Sequence, residues 1–316
     1  MPPLLPGAAF LRMYPCSHLP GTSAAMMPSD ATTPLRGKTV LLTGASRGIG
    51  LAAAHQLAQQ GAHLIMVCRD PTRGERARQA VQLATPGAAI DLLLCDLSRL
   101  ADVQRLCDDI LARYTRLDVL INNAGVLPNK LEVTEEGHEL CWVTNHLSVF
   151  VLTNRLLPLL AAVLPGRIIT VASEAHWLGE IEASVARRND PAHNSAFTAY
   201  SDSKLANVLF TQALAERLEL TGISAVCLHP GIVRSHLFAE SSWLMRLSMR
   251  LARPFTRSTA QAAAAIIHLA TNPDVPKFNG RYFKNGRPAR SSGRTKNPGE
   301  AHRLWRVSGM ETGLDV

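Results

Sequence analysis

No CxxC pair occurs in this chain of 316 residues, and its six cysteines (Cys16, Cys68, Cys95, Cys107, Cys141 and Cys227) are scattered. With no secretory leader pattern either, disulfide frameworks are excluded in favour of reduced thiols in a cytosol-like compartment. Cys68, Cys95 and Cys227 lie in apolar, strand-like runs, where a thiol packs as a small hydrophobe. Basic residues are almost missing at the front, Arg12 being the only one before Arg36. That scarcity disfavours an organellar transit peptide. Residues 1–36, rich in Pro, Gly, Ala and Ser, also lack the apolar core of a signal peptide and the length of a membrane span. They read as a flexible extension, or as sequence upstream of a start at Met26 or Met27. Among His138, His146, His176, His193, His229 and His236, no pair has helix or hairpin ligand spacing beside a carboxylate, so core or surface roles are expected and no metal.

Charge is modest too. At 18% charged and 47% hydrophobic, the chain can bury a sizeable core and is not globally disordered. No break in composition and no internal repeat divides it, which favours one domain. The excess of 33 Lys and Arg over 25 Asp and Glu gathers late, at Lys277, Arg281, Lys284, Arg287, Arg290, Arg294, Lys296, Arg303 and Arg306. Without interleaved aromatics this basic end reads as a solvated face, not a nucleic-acid site. The expected organisation is a flexible extension over 1–36, one domain over 37–290, and a basic segment over 291–316 that packs on or flanks it.

From Lys38 onward, short apolar runs alternate with helical stretches. "KTVLLTG", "AHLIMVCR", "IDLLLCDL", "LDVLINNAG", "GRIITVAS" and "GISAVCLHPG" read as strands, with "GRYF" near 280 as a short last one. Helices are expected between them, two of them over roughly 134–164 and a long one over 196–220. Runs that are apolar throughout and alternate with helices imply a parallel sheet covered on both faces. Ligands then bind outside the carboxyl ends of the strands. Residues 235–258, "SHLFAESSWLMRLSMRLARPFTRS", break the alternation with an amphipathic stretch, read as a packed helix or as a lid over an apolar substrate.

"TGASRGIG" follows the first strand and opens a helix. Gly44, Gly48 and Gly50 allow a tight turn and close approach of phosphate to backbone N–H groups at a helix N-terminus. The spacing is GxxxGxG, not the generic GxGxxG. At the end of the second strand, where a carboxylate would hold a ribose hydroxyl, Arg69 stands, and Arg47 lies in the glycine turn. Two guanidiniums can clamp a 2′-phosphate, which argues for NADP(H). Asp70 follows at once; facing the ribose, it would favour NAD(H). Asp96 closes the third strand, placed for an adenine edge, and "NNAG" closes the fourth.

Asn145, Ser173, Tyr200 and Lys204 all fall at sheet ends or on the helices after them. Residues four apart stack on one helix face, so Lys204 lies within reach of Tyr200. An adjacent ammonium is expected to lower the pKa of the phenol and make it a usable general acid or base. The Ser173 hydroxyl can donate to a substrate oxygen. Leu205, Leu209 and Ala213 are expected to form the buried stripe that fixes the roll of this helix.

"TGASRGIG", "NNAG", Asn145, Ser173 and "YSDSK" together resemble the short-chain dehydrogenase/reductase family, from about Lys38 into the C-terminal region. "VCRD", "TNHLSVFVLT", "YSDSKLANVLF" and "HPGIVRS" resemble its retinol dehydrogenase-like branch, which includes WW-domain oxidoreductase relatives. The resemblance implies a single-domain α/β Rossmann-type fold with a doubly wound parallel sheet, NADP preference, and the tetrad Asn145, Ser173, Tyr200 and Lys204. It implies that Lys204 also binds the nicotinamide ribose and that Asn145 holds a water in a proton relay. The cofactor residues it implies begin with Gly44, Ser46, Arg47, Gly48, Ile49 and Gly50. Arg69, Asp96, Leu97, Asn123, Ala124 and Gly125 follow at the strand ends, with Tyr200 and Lys204. Pro230 and Gly231 complete the set with Val233 and Ser235, which match positions that contact the carboxamide. Ala172 stands where the family commonly has a serine, Ser235 replaces a threonine, and residues 1–36 supply no anchor helix.

The expected protein is thus a cytoplasmic NADP(H)-dependent oxidoreductase acting on a small apolar carbonyl or alcohol, such as an aldehyde, a ketone or a retinoid-like molecule. Leu237, Phe238, Trp243, Leu244 and Met245 motivate the apolar substrate. The rival reading is a catalytically silent NADP-binding regulator or scaffold. No nucleic acid and no transmembrane anchor are expected; peripheral membrane contact stays open, and a homodimer or homotetramer is implied by the family.

Overall fold

The apolar runs pair side by side, as a parallel sheet with buried faces requires. A computed structural model describes residues 33–182, 184–231 and 257–315. Its strands are β1 (Thr39–Thr43), β2 (His63–Cys68), β3 (Ile90–Leu94), β4 (Val119–Asn122), β5 (Gly166–Val171), β6 (Ile223–His229), β7 (Tyr282–Lys284) and β8 (Arg287–Pro288). They form one sheet in the order β3-β2-β1-β4-β5-β6-β7-β8, with only the β7–β8 pair antiparallel. The helices are α1 (Gly48–Gln59), α2 (Pro71–Ala84), α3 (Leu100–Arg113), α4 (Leu140–Trp142), α5 (Ser148–Ala161), α6 (Val185–Asn189), α7 (Ala196–Arg217), α8 (Thr259–Thr271) and α9 (Pro298–Thr312).

Strand side chains alternate between faces, so adjacent apolar residues feed different cores. Leu41 joins Ile65, Leu120 and Ile168 in a core with α3, α5, α7 and α9. Leu42 joins Met66, Ile121 and Ile169 in a second core with α1, α2 and α8. Both faces being covered, the strands carry no polar alternation, and the doubly wound α/β architecture expected from the sequence is present.

One detail differs from the sequence expectation, and two extend it. The helical region after β4 starts at Leu140, because residues 134–139 turn through Gly137 (φ 80°) and a Val133–Glu139 bridge. It then runs from α4 through a π-helical turn (Val143–Leu147) into α5. In helix α7, Leu205, Leu209 and Ala213 are buried as expected, and so is nearly every other side of the helix. The basic C-terminal segment contains α9, whose Trp305 stacks on Phe210 of α7 at 5.7 Å and lies under the Arg217 guanidinium. Near its end, Glu311 Oε1 pairs with the buried Arg188 at 2.5 Å, and Trp142 Nε1 donates to Glu311 Oε2.

Candidate active site

Sheet order reverses between β1 and β4, and a crevice opens there. Its edges are clipped together by short polar bonds. Thr43 Oγ1 accepts from the backbone N–H groups of Asn123 and Ala124, both at 3.0 Å, and Asn123 Nδ2 donates to Thr43 O at 2.8 Å. The first asparagine of "NNAG", Asn122, points the other way, into the core, and donates to Thr153 Oγ1. The clip brings the glycine turn against β4 so closely that only glycine fits. A Cβ on Gly44 would lie 2.9 Å from Ala124 Cα, and one on Gly50 would lie 2.1 Å from Gly44 O. Gly44 also has φ 68°, which favours glycine. No side chain caps the N-terminus of α1, and no acidic residue lies in its first turn. The exposed N–H groups and the positive dipole end therefore suit an anion.

The cleft above this turn holds about 340 Å³. Gly44, Ser46, Arg47, Gly48, Ile49 and Gly50 line one end, with Arg69, Asp96 and Leu97 beside them. Asn123, Ala124 and Gly125 line its middle, and Ser173, Tyr200, Lys204, Pro230 and Gly231 its other end. Val233 and Ser235 lie outside the described residues, as does the proposed lid but for Arg257 and Ser258. Asp96 Oδ1 is taken by its own loop, accepting from Ser98 N and Oγ.

Asp70 is committed to its helix. Its Oδ1 caps α2 by accepting from Arg73 N at 2.8 Å, and its Oδ2 pairs with Arg73 Nη2 at 3.3 Å. The Arg73 amide beside the carboxyl holds its pKa below the usual carboxylate range. Arg47 and Arg69 are exposed at the cleft, and neither makes an ion pair with a described residue.

Asn145 lies in the π-helical turn, fully buried, and such turns often mark functional sites. Its Oδ1 accepts from Val126 N at 2.8 Å; its Nδ2 donates to Val126 O at 3.0 Å and to Ser203 Oγ at 2.9 Å. Ser203 Oγ in turn donates to Tyr200 O at 2.7 Å. Lys204 Nζ donates to Val171 O at 3.0 Å and sits 5.6 Å from the centre of the Tyr200 ring. Ser173 caps the short helical turn Glu174–Trp177, its Oγ accepting from Ala175 N at 3.2 Å.

One electrostatic expectation is overturned. Burial pushes the Tyr200 phenol up to about 12, against a smaller lowering by its hydrogen bond to Ser173. Burial likewise brings Lys204 down to about 8. With Nζ 5.6 Å from the ring centre, burial is the larger influence on both groups.

Sequence reasoning missed several groups. Thr43 ends β1 and carried no signal beyond its place. His229, a neutral ring pushed down to about 4 by burial, lines the cleft beside Glu174. Glu174 accepts from Tyr282 and Lys284, both at 2.5 Å.

A crevice at a sheet reversal, a glycine turn open to an anion, and a buried tyrosine and lysine four apart define a nucleotide-dependent dehydrogenase site. The sequence model of the short chain dehydrogenase family matches residues 38–243, and the chain belongs to that family. It is an oxidoreductase of the retinol dehydrogenase-like branch. It is 38% identical over 272 residues to retinol dehydrogenase 12 of Mus musculus, covering 86% of this chain and 85% of that one. It is also 38% identical over 296 residues to retinol dehydrogenase 14 of Homo sapiens, covering 89% and 88%. Among solved structures, an uncharacterized protein from Mycobacterium paratuberculosis superposes with a TM-score of 0.70 at 33% identity, covering 88% of this chain and 94% of that one. Among the described residues, no helix is long and apolar enough to cross a membrane.

Proposed function

We propose that this protein uses NADP(H) to interconvert an apolar carbonyl and its alcohol, with Asn145, Ser173, Tyr200 and Lys204 as the catalytic group. The observation that carries the reading is the convergence of Ser173, Tyr200 and Lys204 at one end of a cleft whose other end offers Arg47 and Arg69, with Asn145 buried behind them. The glycine turn, packed on β4 as only glycine allows and opening an uncapped helix N-terminus, fits the cofactor's pyrophosphate. With Asp70 held by Arg73, the Arg47 and Arg69 guanidiniums, without an ion pair among the described residues, favour the 2′-phosphate of NADP(H) over the bare ribose of NAD(H).

When bound, the nicotinamide supplies or takes the hydride. Tyr200, kept protonated at neutral pH by burial, holds the proton that a carbonyl oxygen needs as it becomes a hydroxyl. Ser173 Oγ, beside it, donates to the same oxygen and fixes its place. Lys204 offers a cation against the tyrosinate that remains, and Asn145, through Ser203, holds the backbone of Tyr200. The apolar preference draws on Leu237, Phe238 and Trp243 after β6 and on relatives named retinol dehydrogenases. A cytoplasmic location belongs to this reading, and the burial of Cys68, Cys95, Cys107, Cys141 and Cys227 is compatible with it.

The test is a panel of carbonyls with NADPH and NADH in parallel, with Tyr200→Phe as control. Long-chain aldehydes and retinal should turn over with NADPH, and Tyr200→Phe should lose roughly 10²–10⁴-fold in kcat, the range of general acid–base catalysis. Unchanged activity in Tyr200→Phe, or a preference for short polar carbonyls, refutes the corresponding part.

A further inference from the structure

We propose that His176 is a positioning residue for Ser173 and ties it to the C-terminal part of the chain through Ser292. This rests on the reading of Ser173 as the donor to the substrate oxygen. The His176 ring is wholly buried two residues beyond the turn's start, and both its nitrogens are used. Its Nδ1 lies 2.6 Å from Ser173 O, and the backbone N–H of Ser292 donates to its Nε2 at 3.1 Å. A carbonyl can only accept and an amide N–H can only donate, so the ring is neutral with its proton on Nδ1. Tyr282 and Trp177 pack on it, with ring centres 4.7 Å and 5.4 Å away.

Its neighbour in the turn is held in the same way. Glu174 is clamped by Tyr282 and Lys284 of β7. Residues 282–292 therefore grip Glu174 and His176, and the histidine passes that grip to the Ser173 carbonyl. Ser173 Oγ already accepts from Ala175 N, so its hydrogen is the one it offers to Tyr200 and, beside the phenol, to a substrate oxygen. Placing that hydrogen is a matter of ångströms, since a misplacement of ~1 Å costs on the order of 10²-fold in rate.

Two amide variants of the full chain separate positioning from packing. His176→Asn keeps an N–H where Nδ1 was and loses the acceptor for Ser292. His176→Gln keeps the acceptor and loses the donor to Ser173. Both should melt lower than the wild type, but kcat should fall roughly 10- to 100-fold only in His176→Gln, with KM for NADPH and aldehyde little changed. Equal kcat in the two variants, or a loss confined to KM, overturns the proposal. If neither variant folds, Ser292→Pro decides: at φ −48° proline is tolerated, and it removes the N–H that Nε2 accepts. Unchanged kcat there overturns the link to Ser292. Ser173→Ala separates the two readings: if it stays active, the role of Ser173 falls, and if it is dead while His176→Gln is fully active, only the positioning role falls.

Discussion

Removing the arginine at the end of β2 should cost the enzyme its phosphate partner and little else. Arg69 stands exposed at the cleft with no ion pair to a described residue, so Arg69→Ala leaves no carboxylate stranded. A hydrogen bond to a charged group contributes about 1.5–3 kcal/mol, and exposure places this one at the lower end. About 1.4 kcal/mol is tenfold, so kcat/KM with NADPH should fall about tenfold, and further when Arg47→Ala is added. NADH has no 2′-phosphate, and its kcat/KM should stay within about twofold of the wild type. The loss should shrink as salt is raised, since exposed charges are screened. Asp70→Ala completes the experiment. It should lower the melting temperature slightly through loss of the α2 cap while leaving NADH turnover unchanged. Equal losses with both coenzymes in Arg69→Ala, or loss of NADH use in Asp70→Ala, would refute the assignment of the two side chains.

Two further outcomes follow from buried charge. Lys204 has its pKa lowered to about 8, so the unfolded chain binds more protons between about 8 and its ordinary 10.5, and stability rises with pH across that window. Lys204→Met should therefore be inactive yet more stable, by on the order of 1–3 kcal/mol below pH 8, with the gap closing toward pH 10.5 in denaturant titrations. A destabilised Lys204→Met would contradict this. Glu311→Gln leaves the buried Arg188 without its carboxylate, which costs on the order of 3–5 kcal/mol. Its urea midpoint should drop sharply, and a shift of a few tenths of a kcal/mol would show that α9 docks by its apolar residues alone.

What was legible in the sequence was what local pattern encodes. Runs such as "TVLLT" are buried at every position, and no other arrangement suits them as well as a covered parallel sheet. The glycine turn announced itself because its backbone conformation and close contacts leave no other residue type workable. The stripe of α7 was legible, but the burial of its other sides was not, for a physical reason. Its polar residues look solvent-facing, but Ser201 Oγ donates to Phe197 O, Ser203 Oγ to Tyr200 O and Thr211 Oγ1 to Asn207 O. Once bonded back to the helix, such hydroxyls can be buried at little cost. The clamp on Glu174 joins residues 108 and 110 apart, and the His176 link spans 116, so nothing local marks either. The Tyr200 error had the same source: spacing shows a neighbouring charge, whereas dryness is a property of the whole fold.

Because α7 is enclosed by sheet, by α4, by the 174–177 turn and by α9, it has no free side along which to peel away. Amide protons around Tyr200 and Lys204 should then exchange with solvent only through global unfolding, as in the most protected cores. Heat would take the site and the fold together. Variation among relatives would then find little room on this helix.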